Sequence, residues 1–265
     1  MSIFIEPIKQ IYKYRRIVRS TALIEIKKKY AGSALGIIWM VVYPLLFLAT
    51  YATVYGLVFK VRYPGLTTPE YVAVIFSGLI IFLGFNESIV SGIQSVTSNS
   101  GLIKNTLFPI EMIPVRTVLC SQVTQIVGSI ILLVLLLVLK RWTMLTPLII
   151  FIMGLEILME IGLTWILSSI NVIMKDLQNI IGLLMLLIMM ASPIAYPVSM
   201  IPESMRVYMV INPVYCFIIA NQENLVYGAV PERYIIVGML VWSLFFFVLG
   251  YVFFNKMKRA FIDNV

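Results

Sequence analysis

Long apolar stretches separated by short charged segments dominate the pattern of this chain. A helix needs about 20 apolar residues to cross the hydrocarbon core of a bilayer. Because lipid offers no partners to backbone polar groups, each crossing segment should be helical. The pattern therefore predicts an all-α integral membrane protein with six transmembrane helices, at residues 30–59, 71–95, 117–139, 143–174, 177–196 and 234–255.

The composition agrees with this prediction. Of 265 residues, 61% are apolar and only 12% are charged, which is about half the charged share of a soluble domain. The mean hydropathy is +0.99. We expect one transmembrane domain over residues 1–265. It consists of a cytoplasmic interface segment (1–29), a six-helix membrane domain (30–255) and a cytoplasmic tail (256–265).

Positive charge is concentrated at the predicted inner side of the membrane. Residues 1–29 carry eight Lys or Arg against two Glu, and the net charge of the chain is +8. With both termini in the cytoplasm, 14 Lys or Arg lie inside and 6 lie outside. This bias predicts the N-in/C-in topology. It also explains the positive charge without a nucleic-acid partner.

The segment before the first span has the pattern of an amphipathic helix. Val18, Ala22, Ile26 and Tyr30 recur at every fourth residue, and basic side chains lie on the other faces. Such a helix would lie on the inner leaflet. The alternative is a disordered basic tail that only sets the topology.

An apolar segment between the fifth and sixth spans cannot cross the bilayer. Prolines break residues 196–228, and the helical pieces 203–211 and 214–227 are too short to span the membrane. Apolar segments that do not span need burial in protein or at the interface. We therefore favour short re-entrant helices that enter from the outer face over a plain interfacial loop.

An aromatic side chain occurs at every fourth residue of the first span. Four residues turn a helix by about 400°, so successive rings are offset by only about 40°. The rings form a slowly winding stripe, which ordinary helix packing would explain. A conduit for sugar rings is the functional alternative, because both partners have flat apolar faces and polar edges. The stripe consists of Trp39, Tyr43, Phe47, Tyr51, Tyr55 and Phe59.

Glu156 and Glu160 lie one helical turn apart in the fourth span. An ionised carboxylate at that depth costs roughly 3 kcal/mol on insertion scales. Both side chains must therefore face protein or water, or keep their protons. A proton or cation site, as in a proton-coupled secondary transporter, and an interhelical hydrogen-bonding pair both remain open. Glu87 lies near the inner end of the second span, within reach of the interface.

The residue content disfavours several kinds of chemistry. The chain has no His, which excludes a Ser-His-Asp triad and His-ligated metals. It has no GxxxxGK[ST] phosphate-binding loop, so we do not expect it to hydrolyse ATP. We predict no catalytic residue, no metal ligand and no cofactor in this chain. Cys120 and Cys216 should lie on opposite sides of the membrane and form no disulfide.

Several short motifs, taken in order, resemble the permease subunits of type-2 ABC exporters for O-antigen, teichoic acid or capsular polysaccharide. The resemblance covers nearly the whole chain. Lys175 is a departure, because these subunits more often carry Arg there. The motifs are 25–46 (EIKKKYAGSALGIIWMVVYPLL), 105–114 (NTLFPIEMIP), 175–176 (KD), 192–197 (SPIAYP), 201–202 (IP) and 212–213 (NP).

This resemblance implies partners and a location that the composition does not indicate. The chain would act as a homodimer with two copies of a separate ABC ATPase subunit, which would hold ATP and Mg. The substrate would be a polysaccharide linked to undecaprenyl diphosphate, as in lipopolysaccharide biosynthesis. The location would be the inner (cytoplasmic) membrane of a bacterium, in contact with its lipids.

The resemblance also implies roles for individual residues. The aromatic residues Trp39, Tyr43, Phe47, Tyr51 and Tyr55 would line the channel. Coupling to the ATPase would involve Leu102, Lys104, Asn105, Phe108, Pro109 and Glu111. A gate for the lipid head group would consist of Lys27, Lys28, Lys29 and Tyr30. An outer gate would consist of Pro197, Pro202, Met205, Pro213 and Tyr215.

Overall fold

The computed structural model describes residues 2–61, 65–99 and 109–264, and this part of the chain is helical with no strand. Short 3₁₀ or π-helical turns occur between the longer helices, among them Gly36–Ile38 and Ala52–Val58. The longer helices are α1 (Ser2–Tyr30), α2 (Trp39–Tyr51), α3 (Thr68–Ile93), α4 (Met112–Val138), α5 (Leu148–Ile173), α6 (Leu177–Ala191), α7 (Glu203–Met209), α8 (Pro213–Leu225) and α9 (Arg233–Asn264).

Within the described ranges, five helical segments are long and apolar enough to cross a membrane. They are Gly36–Val58, Thr68–Ile93, Met112–Val138, Leu148–Ile173 and Arg233–Lys258. Their positions match five of the six predicted spans. The described part of the chain is therefore all-helical, with several helices that are long and apolar enough to cross a membrane.

The remaining predicted span, 177–196, forms a shorter helix than expected. Helix α6 has 15 residues and is about 22 Å long, less than the roughly 30 Å of a bilayer core. It ends at Ala191 because the ring of Pro193 disfavours helical geometry at Ser192, which is extended with ψ 139°. The prediction that this helix continues to Tyr196 is wrong.

Two other predicted helix starts are also wrong. The first span does not continue from Tyr30, because Gly32 and Gly36 adopt left-handed backbone with φ of 80° and 52°. Glycine takes this conformation without the steric cost of a Cβ, so α1 is a separate helix. The fourth span begins at Leu148 rather than at Thr143, directly after Pro147.

Two ion pairs connect the first and last helices of the chain to the start of α4. The Arg116 Nε atom lies 2.7 Å from Glu25 Oε2 of α1. The Lys258 Nζ atom of α9 lies 2.7 Å from Glu111 Oε2. Helix α1 and the C-terminal end of α9 therefore lie at the same end of the bundle.

Helix α3 forms the centre of the bundle, whereas the first span lies at its edge. In the most apolar stretch of α3, 83% of the residues are buried, whereas in the corresponding stretch of Gly36–Val58 only 11% are buried. Helix α6 buries only one stripe, at Leu177, Ile181 and Met185. The outward faces of these two segments are apolar and need lipid or another protein to cover them.

Helix α8 is short yet buried along most of its length, between α3, α5 and α9. Gln222 Nε2 donates hydrogen bonds to the carbonyl oxygens of Pro193 and Ile194, both at 3.2 Å. The Tyr71 hydroxyl donates to the carbonyl of Ala195 at 2.7 Å. Side chains of the bundle thus satisfy the carbonyl groups of this irregular backbone, as buried backbone requires. The two short helices predicted between the last spans are thus present, as α7 and α8.

Candidate functional site

Two adjoining cavities lie where α1, α2, α3 and α4 meet, and we call them together the inner groove. The first cavity has a volume of about 350 Å³ and the second about 490 Å³. Lys29, Glu87 and Ser91 line both cavities. The two cavities therefore share a wall that contains one ion pair.

That ion pair joins the end of α1 to the last turns of α3, through Lys29 Nζ and Glu87 Oε1. Burial by itself lowers the pKa of Lys29, but the Glu87 carboxylate and the Tyr30 hydroxyl together outweigh this effect, and the pKa lies above its ordinary value. The ammonium also lies 5.4 Å from the ring centre of Tyr30. Lys29 is thus a fixed positive charge in the wall of the groove.

Three of the four predicted head-group residues border the groove. Lys29 and Tyr30 line the first cavity, and Lys28 lines the second together with Lys29. Lys27 is exposed and lines neither cavity. The geometry thus brings together a cluster of positive charge at the end of α1.

The aromatic stripe begins in the same groove. Trp39 and Tyr43 line the first cavity and are 39% and 40% exposed. The Tyr43 ring lies 5.0 Å from that of Phe47, and the Tyr51 ring lies 5.5 Å from that of Tyr55. Phe47, Tyr51 and Tyr55 are half-buried against the core. The stripe therefore faces the groove at one end and packs partly on the core of this chain further along.

Glu156 and Glu160 face α4 in the interior of the bundle, and both are fully buried. Gln125 Nε2 donates to Glu156 Oε2 at 2.6 Å. Gln122 Nε2 donates to Glu160 Oε2 at 2.6 Å and to Ser88 Oγ at 3.2 Å. Each carboxyl group of α5 thus accepts a hydrogen bond from a glutamine of α4, which is the interhelical hydrogen bonding that the sequence leaves open as one of two possibilities. We call this set of five side chains the Glu–Gln seam.

The predicted coupling residues lie only partly within the described chain. Leu102, Lys104, Asn105 and Phe108 are outside the described residues. Pro109 precedes α4 and is half-buried, whereas Glu111 is buried. Besides its ion pair with Lys258, Glu111 accepts a hydrogen bond at its backbone oxygen from Trp165 Nε1 at 2.9 Å. Glu111 therefore fixes the start of α4 to α5 and α9.

The predicted outer-gate residues are dispersed over α7, α8 and the segment before them. Pro202 and Met205 are exposed, and Pro197 and Pro213 are half-buried. Tyr215 is 1% exposed and lies in the core. Its position inside the bundle differs from that of the exposed members of this set, whose roles remain predictions.

Sequence reasoning missed three residues that complete these sites. The sequence places Glu87 near the interface but does not indicate its partner Lys29, which is 58 positions away. It also does not indicate that Gln122 and Gln125 are the partners of the two buried carboxyl groups. Their spacing of three residues on an apolar helix is a signal that could have identified one polar face.

Comparison with known proteins assigns the chain to a family. The sequence profile of the ABC-2 type transporter family matches residues 19–226. The chain therefore belongs to the ABC-2 type transporter family, whose members are membrane permease subunits of ABC transporters.

Individual relatives match along nearly their whole length. The O-antigen export system permease protein RfbA of Myxococcus xanthus is 25% identical, over 97% of this chain and 98% of that protein. A protein of the same name from Klebsiella pneumoniae is 26% identical, over 90% and 91%. The polysialic acid transport protein KpsM of Escherichia coli is 19% identical, over 93% and 95%.

Proposed function

We propose that this chain is the permease subunit of an ATP-driven ABC transporter that exports a lipid-linked polysaccharide, O-antigen or a similar polymer, across the bacterial inner membrane. Membership of the ABC-2 family and the names of the relatives support this function. The observation in the structure that carries it is the inner groove, in which the basic end of α1 meets the first rings of the aromatic stripe.

The chemistry of the groove suits a sugar polymer attached to a diphosphate lipid. Lys28 and Lys29 supply ammonium groups, which make charge-assisted hydrogen bonds with phosphate oxygens. Trp39 and Tyr43 supply flat apolar surfaces for the C–H faces of sugar rings and polar edges for their hydroxyls. A ligand with an anionic head followed by sugars would therefore find both of its parts matched along one path.

A second copy of the chain would complete the channel. The first span leaves most of its surface uncovered in the single protomer, and helix α6 leaves apolar side chains such as Leu183 and Leu187 exposed. These two segments are the natural walls of a conduit between two protomers. Lipid would then cover the remaining apolar faces.

The orientation follows from the charge bias, with both chain ends in the cytoplasm and α1 on the inner leaflet. The fifth crossing would consist of α6 and the irregular segment that follows it, and α7 and α8 would enter from the outer face. Prolines 197, 202 and 213 and Met205 would lie at that outer gate.

ATP hydrolysis would take place in two copies of a separate ATPase subunit, which would hold ATP and Mg. Residues 102–111 would receive its motion at the cytoplasmic end. From there, two ion pairs extend into the bundle. Arg116–Glu25 leads to α1 and the groove, and Glu111–Lys258 leads to α9.

Family membership does not support the alternative of a proton-coupled secondary transporter. Its candidate residues, Glu156 and Glu160, are enclosed by glutamine partners in the Glu–Gln seam. That seam lines neither cavity of the inner groove.

Deletion of the gene for this chain tests the proposal in cells. We expect loss of polysaccharide from the cell surface and accumulation of lipid-linked polymer inside, both reversed by the wild-type gene. A full-length surface polymer in the deletion strain would refute the proposed function.

A further inference from the structure

Glu87 occupies the place in the inner groove where an anionic ligand of Lys29 would bind. Its carboxylate is the ion-pair partner of the Lys29 ammonium, in the wall that the two cavities share. The side chains of Lys29 and Glu87 are 45% and 19% exposed. The pair is therefore partly withdrawn from water but still accessible from the groove.

Several uncharged side chains around this pair can donate hydrogen bonds: Ser91 lines both cavities, and Asn86 and Thr124 line the first. Thr117 and Ser121 line the second cavity, but their hydroxyls already donate to backbone carbonyl oxygens of α4, at 3.2 Å each. Phosphate oxygens accept hydrogen bonds from hydroxyl, amide and ammonium groups. A carboxylate in the middle of such a set repels an anion and holds the cation that the anion needs.

Among the described residues that line the groove, the carboxylates are Glu25 and Glu87. Glu25 is paired with Arg116, which lies in neither cavity lining. Only Glu87 therefore competes directly for a lysine of the groove.

We propose that the Lys29–Glu87 ion pair is a latch, opened by a phosphate or diphosphate group that replaces Glu87 as the partner of Lys29. The inference rests on the proposed function, because it gives the head group of the substrate a specific role. While the latch is closed, the pair lies between the second cavity, which Lys28 also lines, and the aromatic first cavity. When an anion holds Lys29, Glu87 is released and the passage between the cavities widens.

The expected strength of the latch follows from its exposure. Fully exposed ion pairs contribute little to stability, whereas breaking a fully buried pair is strongly destabilising. The partly exposed Lys29–Glu87 pair lies between these limits. Removing the competing carboxylate should therefore strengthen anion binding about tenfold, which corresponds to about 1.4 kcal/mol.

Equilibrium binding to the full chain in phosphatidylcholine nanodiscs tests the latch. The probes are radiolabelled geranylgeranyl diphosphate and inorganic diphosphate, and the dissociation constant is measured for each. We expect Glu87→Gln, which keeps the size of the side chain and removes its charge, to bind geranylgeranyl diphosphate about tenfold more tightly than the wild type. Equal gains for both probes identify the diphosphate group itself as the ligand. Tighter binding of inorganic diphosphate alone would show that the ligand of this site is not a lipid diphosphate.

Two further variants show whether Glu87 acts through Lys29. Lys29→Gln should bind the probe weakly, and the double variant Glu87→Gln/Lys29→Gln should bind equally weakly. Glu6→Gln removes the same charge from an exposed side chain of α1 that lines neither cavity, and it should change the dissociation constant less than about twofold. An equal gain in Glu6→Gln, a gain that persists without Lys29, or no gain in Glu87→Gln would overturn the latch.

The latch and the proposed function can fail separately. The binding experiment uses the purified chain and requires no export. If the deletion strain loses its surface polysaccharide but Glu87→Gln binds like the wild type, the exporter stands and the latch is wrong. If Glu87→Gln binds more tightly but the deletion strain keeps its polysaccharide, the anion site stands and the function is wrong.

Discussion

Gly162 of α5 and Gly250 of α9 meet backbone to backbone. A Cβ atom placed on Gly250 would lie 2.1 Å from the carbonyl oxygen of Gly162. A Cβ on Gly162 would lie 2.2 Å from the carbonyl carbon of Phe246. Because the obstructing atoms are backbone, no rotamer change can relieve either clash.

The substitution Gly250→Ala should therefore separate α5 from α9 and destabilise the bundle. Overpacking of this kind typically costs about 1–3 kcal/mol. We expect the thermal unfolding midpoint of the detergent-purified chain to fall by several degrees. Gly154→Ala on α5 is the control, because nothing lies within 4 Å of its Cβ position. The account of this crossing is wrong if the two variants have the same midpoint.

The Glu–Gln seam predicts different outcomes for single and double substitutions. Gln125→Leu leaves the buried carboxyl group of Glu156 without its 2.6 Å partner, which should cost about 1–3 kcal/mol of stability. The double variant Gln125→Leu/Glu156→Leu removes both polar groups and should be more stable than the single variant. Thermal unfolding of both proteins measures this difference. A double variant less stable than the single one would contradict the assigned pairing.

Substitutions in the Glu–Gln seam also distinguish an ATP-driven exporter from a proton-coupled secondary transporter. Glu156→Gln/Glu160→Gln keeps hydrogen-bonding groups at both positions and removes both titratable protons. We expect surface polysaccharide to remain at the wild-type level, since the energy comes from ATP. Its complete loss, with normal amounts of folded permease, would favour a coupling role for these protons.

The aromatic stripe predicts a loss of export when its groove-facing rings are removed. Trp39→Ala and Tyr43→Ala should each reduce surface polysaccharide severalfold, because a sugar ring loses the apolar face on which it rests. The measurement is an immunoblot of the polymer, normalised to the amount of permease in the membrane. Phe245→Ala is the control, since this exposed aromatic side chain on α9 lies outside the stripe. Unchanged export in both stripe variants would show that these rings do not form part of the conduit.

The ion pair between Arg116 and Glu25 predicts that the contact of α4 with α1 depends on charge. Its side chain is 6% exposed, faces Glu25 and donates to Asn99 Oδ1 at 2.9 Å. Arg116→Glu places two carboxylates together and should abolish export and lower the yield of folded protein, since unpaired buried charge costs about 3–5 kcal/mol.

Reversal of both charges provides the internal check. Glu25→Arg/Arg116→Glu should recover part of the yield and part of the export. Arg19→Glu, on the exposed face of α1, should leave the yield of folded protein unchanged. If the double variant is no better than Arg116→Glu alone, the ion pair does not connect the two helices.

Much of the fold follows from local sequence. Apolar runs as long as a bilayer crossing predicted the five long spans, because length and hydropathy are local properties. The boundaries were less predictable. Composition did not indicate that the backbone turns at Gly32 and Gly36 or that helix α6 stops before Pro193, although both follow from local backbone preferences.

The site was less predictable than the fold, because its contacts join distant parts of the chain. The basic residues at the end of α1 and the aromatic stripe were both visible in the sequence. Their meeting in one groove depends on the turn after Tyr30 and on the packing of α3. Likewise, the partners of Glu156 and Glu160 come from another helix, and only the packing of α4 against α5 decides which polar residues face them.

ATP-driven uptake of a lipid-linked polysaccharide into inverted membrane vesicles tests the central claim most directly. Vesicles that contain this chain and its ATPase subunit should accumulate the polymer when ATP is added, and vesicles that lack either protein should not. Uptake by vesicles with this chain but without the ATPase, or equal uptake without this chain, would contradict the account.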